Sequence, residues 1–350
     1  MLGHDIIVIG ASAGGVEAAT QLVRSLPADI PAAVFVVIHI AAHSKSVLPQ
    51  IFQRRGHLPA THPKDGEDIL HGHIYVAPPD FHLLIKPGYV NLAHGPKENR
   101  HRPAVDPLFR SAAQAYTNRV VGVILSGSLD DGTAGLLAVK KVGGIAIVQD
   151  PEEALYDGMP GSAIENVQVD YVLPIAEIGE KLVTLAHEPV ETNNNSVDSQ
   201  LAMETDMAEL DSEAVQSLER PGKESPYSCP ECGGVLWEIK NSNFLRFRCR
   251  TGHAFSPDSL FAEQSDALEQ ALWVALRALK EQSGLSKKLA QRAKAQNHSI
   301  TAKRFAERAQ ETDAKADLIR QVLLRSKNET INTEHTDANV EDNDLETDVG

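Results

Sequence analysis

Short apolar runs alternate with longer amphipathic stretches from Asp5 to about Ala186. This alternation is typical of the strands and helices of an α/β sheet. Several runs are apolar at every position, as strands covered on both faces should be, so the pattern predicts a doubly wound, mostly parallel sheet. The predicted strands are DIIVIG, AAVFVVIH, GHIYVAPP, VVGVILSG, GGIAIVQD and YVLP.

The segment HLLIKPGYVNLAHG departs from this pattern. Two alternating runs flank the dipeptide Pro87-Gly88, which marks a tight turn. We therefore predict a local antiparallel hairpin in addition to the parallel sheet.

Polar and acidic residues dominate positions 188–225, which predicts a linker after a first domain of residues 1–187. A small cysteine-containing module follows at 226–256. Its two apolar stretches, VLWEIK and FLRFRC, are predicted to form a hairpin that turns at Asn241–Asn243.

The spacing of apolar residues becomes helical at 257–326, which predicts a hairpin of two antiparallel helices. The positions that share one face are Leu268, Leu272, Ala275 and Leu279, then Phe305, Ala309, Ala316, Ile319 and Leu323. The tail at 327–350 is acidic and has no Lys or Arg after Lys327, which predicts disorder.

The composition fits one large domain with appendages, because 42% of the 350 residues are hydrophobic. A net charge of -15 disfavours nucleic acid and anionic membranes as general partners. The apolar run Ile6 to Ile9 is too short for a signal peptide or a membrane span, so we predict no membrane insertion. Three cysteines, an odd number, fit a reducing cytoplasm better than a disulfide framework. We therefore predict a cytoplasmic chain with protein or small-molecule partners.

The first predicted strand runs into the glycine-rich turn Gly10–Gly15, with Ser12 inside it. A dinucleotide site would need Gly-x-Gly-x-x-Gly here and an acidic residue at the end of the second strand. This chain has Ser12 where the second glycine belongs and His39 at the second strand end. Both differences disfavour a nucleotide site.

Ser12, His39 and the pair Asp130-Asp131 lie at or just beyond the ends of three predicted strands. The carboxyl ends of parallel strands near a topological switch point face one crevice. A serine, a histidine and an aspartate there would supply a nucleophile, a general base and an orienting acid. Taken singly, however, each residue is more often a helix cap, a satisfied histidine or a turn residue, and Ser12 would make a good N-cap. The residues alone leave both interpretations open.

Four candidate metal ligands flank the predicted hairpin of the small module. Cys229 and Cys232 precede it, and Cys249 and His253 follow it. Tetrahedral zinc prefers four nitrogen or sulfur ligands at such spacings, so the pattern predicts a structural zinc with no open position for catalysis. The alternative is a set of free buried thiols.

Three arginines, Arg246, Arg248 and Arg250, alternate onto one face of the second hairpin strand. They could meet an acidic protein surface or nucleic acid, but a solvated face is the favoured interpretation.

Six ordered blocks within residues 5–186 resemble the catalytic domain of CheB-type protein-glutamate methylesterases, and most of all the form found in CheB–CheR fusion proteins. The blocks are IVIGASAGGVEA, VVIHIAAHSKSVLPQIFQRR, GHIYVAPPDFHLLI, RPAVDPLFRSAA, VGVILSGSLDDGTAGLLAVK and VQDPEEALYDGMPGSAI. By position, the resemblance implies that the nucleophile is Ser12, the histidine His39 and the aspartate Asp131, with Asp130 and His43 as neighbours.

The resemblance further implies hydrolysis of glutamate methyl esters on a chemoreceptor-like protein, with glutamine deamidation in some members and no catalytic cofactor. The chain departs from the best-known members at three places: Ala13, where many have threonine; Ile38, where glutamine is usual; and Ser128-Leu129, which replaces a Met-Gly pair. Backbone oxyanion donors survive such changes, so the departures affect the expected substrate preference more than hydrolysis.

Well-known members carry a receiver domain before the catalytic one, and here the first strand begins at Asp5. We therefore expect regulation through another chain, through the C-terminal module, or not at all. Our hypothesis is that the C-terminal module docks a regulator or partly covers the crevice. Two alternatives to the methylesterase are a non-catalytic signalling scaffold that binds partners with the zinc-helix module and a small-molecule esterase.

Overall fold

The structure is a computed structural model that describes residues 3–190, 199–209, 222–241 and 244–337. The chain divides into two compact units, Met1–Ala262 and Glu263–Gly350. The first unit contains both the predicted α/β domain and the cysteine module.

A seven-stranded parallel sheet forms the centre of the first unit, in the order β3-β4-β2-β1-β7-β8-β9. Its strands are β1 (Ile6–Ala11), β2 (Ala33–Ile38), β3 (Ala60–Thr61), β4 (His73–Val76), β7 (Val120–Ile124), β8 (Ile145–Gln149) and β9 (Tyr171–Leu173). All six predicted strands are present and parallel, and the short β3 is an addition. Because Ala11 pairs with Ile38 and Gly10 with Ile124, the ends of β2, β1 and β7 lie side by side.

Helices cover both faces of this sheet, so its central strands are apolar at every position. The helices are α1 (Gly15–Ser25), α2 (Leu48–Arg55), α3 (Val105–Tyr116), α4 (Thr133–Lys141), α5 (Gly158–Asn166) and α6 (Ile175–His187). Ile7 and Ile9 of β1 pack with α1, α2 and α6, whereas Ile6 and Val8 pack with α3, α4 and α5. The fold is therefore the predicted doubly wound α/β layer structure.

The predicted antiparallel hairpin is also present. Its strands, β5 (His82–Lys86) and β6 (Tyr89–Ala93), form a separate two-stranded sheet that turns at Pro87-Gly88. The backbone N–H of Ile85 donates to the Ser111 hydroxyl at 3.0 Å, which fastens the hairpin to α3.

The cysteine module is a four-stranded antiparallel sheet, here called the ribbon. Its strands are β10 (Lys223–Ser228), β11 (Val235–Asn241), β12 (Phe244–Cys249) and β13 (Ala254–Phe255). The predicted hairpin corresponds to β11 and β12, while residues 242–243 of its turn lie outside the described residues.

The segment 188–225 holds more structure than a linker. It contains a helix, α7 (Ser199–Ala208), which packs on α3, and the first strand of the ribbon begins inside it at Lys223. Residues 191–198 and 210–221 lie outside the described residues.

The arginine face of β12 is buried, so its interpretation as a solvated face is wrong for Arg246 and Arg248, which are 6% and 1% exposed. Both arginines meet carboxylates of the same chain. Arg246 binds Glu204 of α7 through two hydrogen bonds of 2.6 and 2.8 Å, and Arg248 binds Glu98 at 2.9 Å. Arg110 of α3 binds Glu98 from the other side. The ribbon thus packs on the α/β domain through buried ion pairs.

Two long helices account for most of the second unit. They are α8 (Pro257–Ala295), which begins in the first unit, and α9 (Ser299–Asp337). An ion pair of 2.6 Å joins Lys287 to Asp313 across the predicted hairpin, but Leu268, expected on its buried face, is 62% exposed. Helix α9 reaches Asp337, well into the tail predicted to be disordered, and residues 338–350 lie outside the described residues. In the described part of the chain no helix is both long and apolar enough to cross a membrane.

Candidate functional site

Ser12 lies directly after β1, in a turn that leads into α1. Gly14 adopts a φ of 70° there, a left-handed conformation that favours glycine, and it is the N-cap of α1. No side chain caps this helix, so the hydroxyl of Ser12 does not serve as the N-cap that its position would allow. The backbone N–H of Ser12 donates to the Ser126 carbonyl at 3.0 Å, which fixes the turn against the end of β7.

The three predicted strand-end residues form one hydrogen-bonded chain. Nδ1 of His39 lies 3.0 Å from Oγ of Ser12, and Nε2 lies 2.7 Å from Oδ2 of Asp131. Because an ionised carboxylate only accepts, Nε2 carries the proton and Nδ1 is free to accept the serine hydroxyl proton. The imidazole nitrogens therefore have the opposite assignment from chymotrypsin, in which Nε2 faces the serine.

Asp131 is buried and receives four hydrogen bonds. Besides His39, the donors are the backbone N–H groups of Val105 and Asp106, at 2.7 and 3.2 Å, and the amide of Asn99 at 2.8 Å. Burial by itself would raise the pKa of Asp131, but the hydrogen bond and charge of His39 and the other donors hold it below its usual range. Asp131 is thus an ionised acceptor that fixes the tautomer of His39.

A second histidine, His101, stacks on His39 with ring centroids 3.7 Å apart and an angle of 11° between the planes. Burial, together with the charge of His39, lowers the pKa of His101 to about 3. The stacked ring is therefore neutral near pH 7, and it restrains the imidazole of His39 without competing for its proton.

Two backbone N–H groups next to Ser12 are candidate donors to an oxyanion. Ser12 and Gly15 donate their own N–H groups within the protein, whereas Ala13 and Gly14 donate to no described acceptor. Both lie in the turn that begins α1, where the helix dipole favours negative charge.

The structure separates the sequence candidates clearly. Ser12, His39 and Asp131 meet, while the carboxylate of Asp130 turns away and accepts a hydrogen bond of 2.6 Å from the Ser256 hydroxyl. His43 is exposed. The sequence interpretation did not include Asn99 and His101. Both lie in the loop just before the block RPAVDPLFRSAA, and a polar loop beside a matched block was the one available signal.

The sequence model of the CheB methylesterase family matches residues 7–182, half of the chain. The chain belongs to the CheB methylesterase family. The matched residues cover the parallel sheet except Ile6, the first residue of β1, and include all three residues of the hydrogen-bonded chain.

Relatives with named activities match the same region. A Leptospira interrogans protein, provisionally named a protein-glutamate methylesterase/protein-glutamine glutaminase, is 38% identical over 191 residues, which are 54% of this chain and 99% of its own. The Hydrogenovibrio crunogenus protein-glutamate methylesterase/protein-glutamine glutaminase is 39% identical over 52% of this chain and 49% of its own. The crystal structure of the Thermotoga maritima CheB methylesterase catalytic domain has a TM-score of 0.51 and 38% identity, covering 52% of this chain and 98% of that one.

The positions that depart from better-known CheB proteins surround Ser12. Ile38 is 2% exposed within the core, so its side chain supports the turn rather than facing solvent. The carbonyl of Ala13 accepts a hydrogen bond of 2.8 Å from the Ser126 hydroxyl, and Ser128 is exposed. Of these departures, Ser128 is the most exposed, whereas Ala13 and Leu129 are half-buried.

The four predicted metal ligands of the ribbon come together. Their ligand atoms all lie within 4.8 Å of one another. Nδ1 of His253 is 3.7 Å from Sγ of Cys229 and 3.5 Å from Sγ of Cys249, and the sulfurs of Cys232 and Cys249 are 3.6 Å apart. A tetrahedral zinc ion with bonds of about 2.3 Å to sulfur and 2.0 Å to nitrogen separates its ligands by about 3.5–3.8 Å. These three of the six separations match the ligand spacing of such an ion.

Proposed function

We propose that this chain is a serine hydrolase that removes methyl groups from glutamate methyl esters on a chemoreceptor-like protein. In this proposal Ser12 is the nucleophile, His39 the general base and Asp131 the orienting acid. The observation that carries the proposal is the unbroken chain Ser12–His39–Asp131, with links of 3.0 and 2.7 Å. Membership of the CheB methylesterase family and the names of the relatives support the substrate class.

The geometry is suited to acyl transfer. As Oγ of Ser12 attacks the γ-carbonyl of the methylated glutamate, Nδ1 of His39 takes the hydroxyl proton and Asp131 stabilises the resulting imidazolium. The N–H groups of Ala13 and Gly14 hold the oxyanion, a contribution of about 3 kcal/mol for each donor in related chemistry. The imidazolium then returns its proton to the departing methoxide, which leaves as methanol. A water molecule, deprotonated by His39, cleaves the acyl-enzyme and restores Ser12.

The proposal is tested by methanol release from methylated chemoreceptors, with the variants Ser12→Ala and Ser44→Ala measured beside the wild type. Ser44 is exposed and its hydroxyl bonds only its own loop, at the carbonyl of Ala41. We expect turnover to disappear in Ser12→Ala and to persist in Ser44→Ala. Methanol release by folded Ser12→Ala at the wild-type rate would rule out the nucleophile assignment.

Glutamine deamidation is a second reaction that the same residues could perform, because it differs only in releasing ammonia from the γ-carbonyl. The printed names of the relatives include protein-glutamine glutaminase, which favours this activity. Ammonia release from unmethylated receptors, lost in Ser12→Ala, is the corresponding measurement.

Two alternatives predict different results. A non-catalytic signalling scaffold that binds partners with the ribbon and helical hairpin would not react with a serine-directed phosphonate, whereas the enzyme would be labelled at Ser12. A small-molecule esterase would hydrolyse small esters fast without a helical protein substrate. Labelling combined with a strong preference for methylated receptor over a small ester distinguishes the methylesterase from both.

We further propose a structural zinc ion bound by Cys229, Cys232, Cys249 and His253, and residence in the cytoplasm. The matching ligand distances support the metal, and a reducing compartment keeps the thiols available for it. The ion would stabilise the ribbon fold, while the steps of ester hydrolysis use only the residues of the α/β domain.

Docking of a regulator on the C-terminal module also remains a proposal. Large apolar side chains of the second unit, including Trp273, Val274 and Leu324, are each about half exposed, which supports a partner surface. Loss of regulator binding when Trp273 is replaced by Ala, with receptor demethylation unchanged, would be the expected result.

A further inference from the structure

The loop that carries Asn99 and His101 lies between the catalytic aspartate and the ribbon. Its backbone pairs with the ribbon strand β13, because Asn99 N–H donates to the Ala254 carbonyl at 2.8 Å and Ala254 N–H donates to the Lys97 carbonyl at 3.3 Å. Asn99 has a φ of 47°, a left-handed conformation that asparagine tolerates better than most residues. The loop is thus held in its shape by a strand more than 150 residues away along the chain.

The side chain of Asn99, 5% exposed, connects the catalytic carboxylate of the α/β domain to the segment that follows the ribbon. Its Nδ2 donates to Oδ1 of Asp131 at 2.8 Å and to Oδ2 of Asp106 at 2.9 Å. Carboxylates accept hydrogen bonds, so the amide nitrogen must face them and Oδ1 must face the ribbon. The orientation of the amide is therefore fixed by its surroundings.

Oδ1 of Asn99 faces the segment where β13 leads into α8, and it accepts two hydrogen bonds from this segment. The donors are the backbone N–H of Ser256 at 3.0 Å and the hydroxyl of Ser259 at 3.2 Å. The backbone N–H of Ser259 also donates to the Ser256 hydroxyl at 3.0 Å, and both serines are buried, at 2% and 0% exposure. The Ser256 hydroxyl holds Asp130, the neighbour of the catalytic aspartate.

A second connection joins the same loop to the metal-ligand end of the ribbon. Arg248 binds the carboxylate of Glu98 at 2.9 Å and the carbonyl of Gly252 at 2.8 Å, within the turn between Cys249 and His253. Arg248 and Glu98 are each 1% exposed. Arg248 therefore connects the turn between Cys249 and His253 to Glu98, the residue next to Asn99, through one hydrogen bond on each side.

We propose that the ribbon and the first turn of α8 together form an internal positioning element for the hydrolase. Ser256 and Ser259 hold Asn99, and Asn99 holds the catalytic carboxylate of Asp131. Asn99 is a positioning residue, because it acts on the reaction through Asp131. The inference rests on the proposed hydrolase function, and it adds that the activity of the α/β domain depends on the docked ribbon.

The test compares four full-length variants in methanol release from methylated receptor. They are Asn99→Ala, Asn99→Asp, Ser259→Ala and the matched control Ser286→Ala, which removes a buried hydroxyl from the same helix within the second unit. For Asn99→Ala we expect kcat to fall about 10- to 100-fold, because Asp131 loses a buried donor, with KM changed less than about twofold.

The other variants separate hydrogen bonding from packing. Asn99→Asp preserves the side-chain shape but offers acceptors to two carboxylates, so we expect a loss of kcat at least as large as for Asn99→Ala. Ser259→Ala should lower kcat by about 3- to 10-fold, and Ser286→Ala should stay within about twofold of the wild type. Far-UV circular dichroism and thermal melting establish that each variant is folded.

A second readout does not depend on turnover. The proton on Nε2 of His39 gives a downfield NMR resonance while Asp131 holds it, and we expect this resonance to shift or broaden in Asn99→Ala and Ser259→Ala but not in Ser286→Ala. Failure of the wild type to release methanol would reject the proposed function and leave this resonance to decide the inference. If the wild type is active, folded Asn99→Ala and Ser259→Ala with wild-type kcat would overturn the inference. If the wild type is inactive, an unchanged resonance in both variants would overturn it.

Discussion

Asp106 and Asp131 cap each other's helices. Asp131, just before α4, accepts the N–H groups of Val105 and Asp106 at the start of α3, while Asp106 accepts those of Gly132 and Gly135 at the start of α4, at 3.1 and 2.6 Å. Burial and the charge of Asp131 raise the pKa of Asp106, whereas Asp131 stays ionised. The carboxylate that faces His39 is therefore placed by the packing of two helices before any substrate arrives.

Replacement of Asp131 by Asn should lower kcat by about 10⁴-fold, because the amide can hold the wrong tautomer of His39, as in serine proteases. Methanol release from methylated receptor measures the loss. Asp130→Asn is the comparison, since Asp130 bonds Ser256 rather than His39 and its loss should stay within about tenfold. Equal losses in the two variants would contradict the assignment of Asp131.

Gly127→Ala should disable the nucleophile through crowding. A Cβ at this position would lie 2.9 Å from Cβ of Ser12 and would overlap the sulfur of Met159. We expect kcat to fall by about 100-fold, because a displacement near 1 Å at the reacting atom has that effect. Gly161→Ala is the control. Nothing lies within 4 Å of its added methyl group in α5, so kcat should not change and stability should rise by about 0.5–1 kcal/mol.

Glu204→Gln should destabilise the first unit in a pH-dependent way. Burial alone would raise the pKa of Glu204, but Arg246 and Arg248 hold it far below its ordinary value of 4.5. A lowered pKa stabilises the fold above about pH 4.5, and this contribution disappears as the pH falls toward the folded-state pKa. Urea unfolding at pH 7 should therefore give a loss of about 3–5 kcal/mol in the variant.

The difference between the wild type and Glu204→Gln should shrink when unfolding is measured below pH 4, because the unfolded wild type then binds the proton that the native state excludes. A difference that is constant between pH 7 and pH 3 would mean that the ion pairs of Glu204 contribute little.

Removal of the proposed zinc with a strong chelator should lower the melting temperature by roughly 10 °C, since a structural ion contributes several kcal/mol to folding. The inactive Ser12→Ala protein should show the same drop, because its ribbon is intact. We also expect kcat to fall on metal removal and to recover when zinc is restored. Zinc-free protein, verified by elemental analysis, with an unchanged melting temperature would exclude a structural ion.

The central sheet could be predicted from sequence because its strands are short runs, apolar on both faces, rich in Val and Ile and bounded by turn residues. The hydrogen-bonded chain of Ser12, His39 and an aspartate could be predicted in outline, because all three residues lie at strand ends. Which of Asp130 and Asp131 faces His39, however, depends on the reciprocal capping with Asp106. The family resemblance supplied that choice.

The role of the ribbon could not be predicted, because alternating arginines look the same on a solvated strand and on one packed against acidic residues. Arg246 meets Glu204 from a segment that reads as a polar linker, and Arg248 meets Glu98 from a loop 150 residues away. Asn99 was missed for the same reason, since its partner Ser256 lies 157 residues further along the chain. Local patterns carry no information about such pairs.

The buried ion pairs of the ribbon also determine where this protein can be shortened. A chain ending near residue 225, where the composition changes, would lose Arg246 and Arg248. Glu204 would lose both of these arginines, and Glu98 would keep Arg110 but lose Arg248, on a newly exposed surface. Such a fragment would be prone to unfold or aggregate, and its inactivity would say nothing about regulation. A chain ending after Ala262 keeps both arginines, Ser256 and Ser259 in one compact unit. To separate the α/β domain and ribbon from the helical hairpin, the chain should therefore be cut inside α8. The amino-acid composition gives no sign of a boundary there.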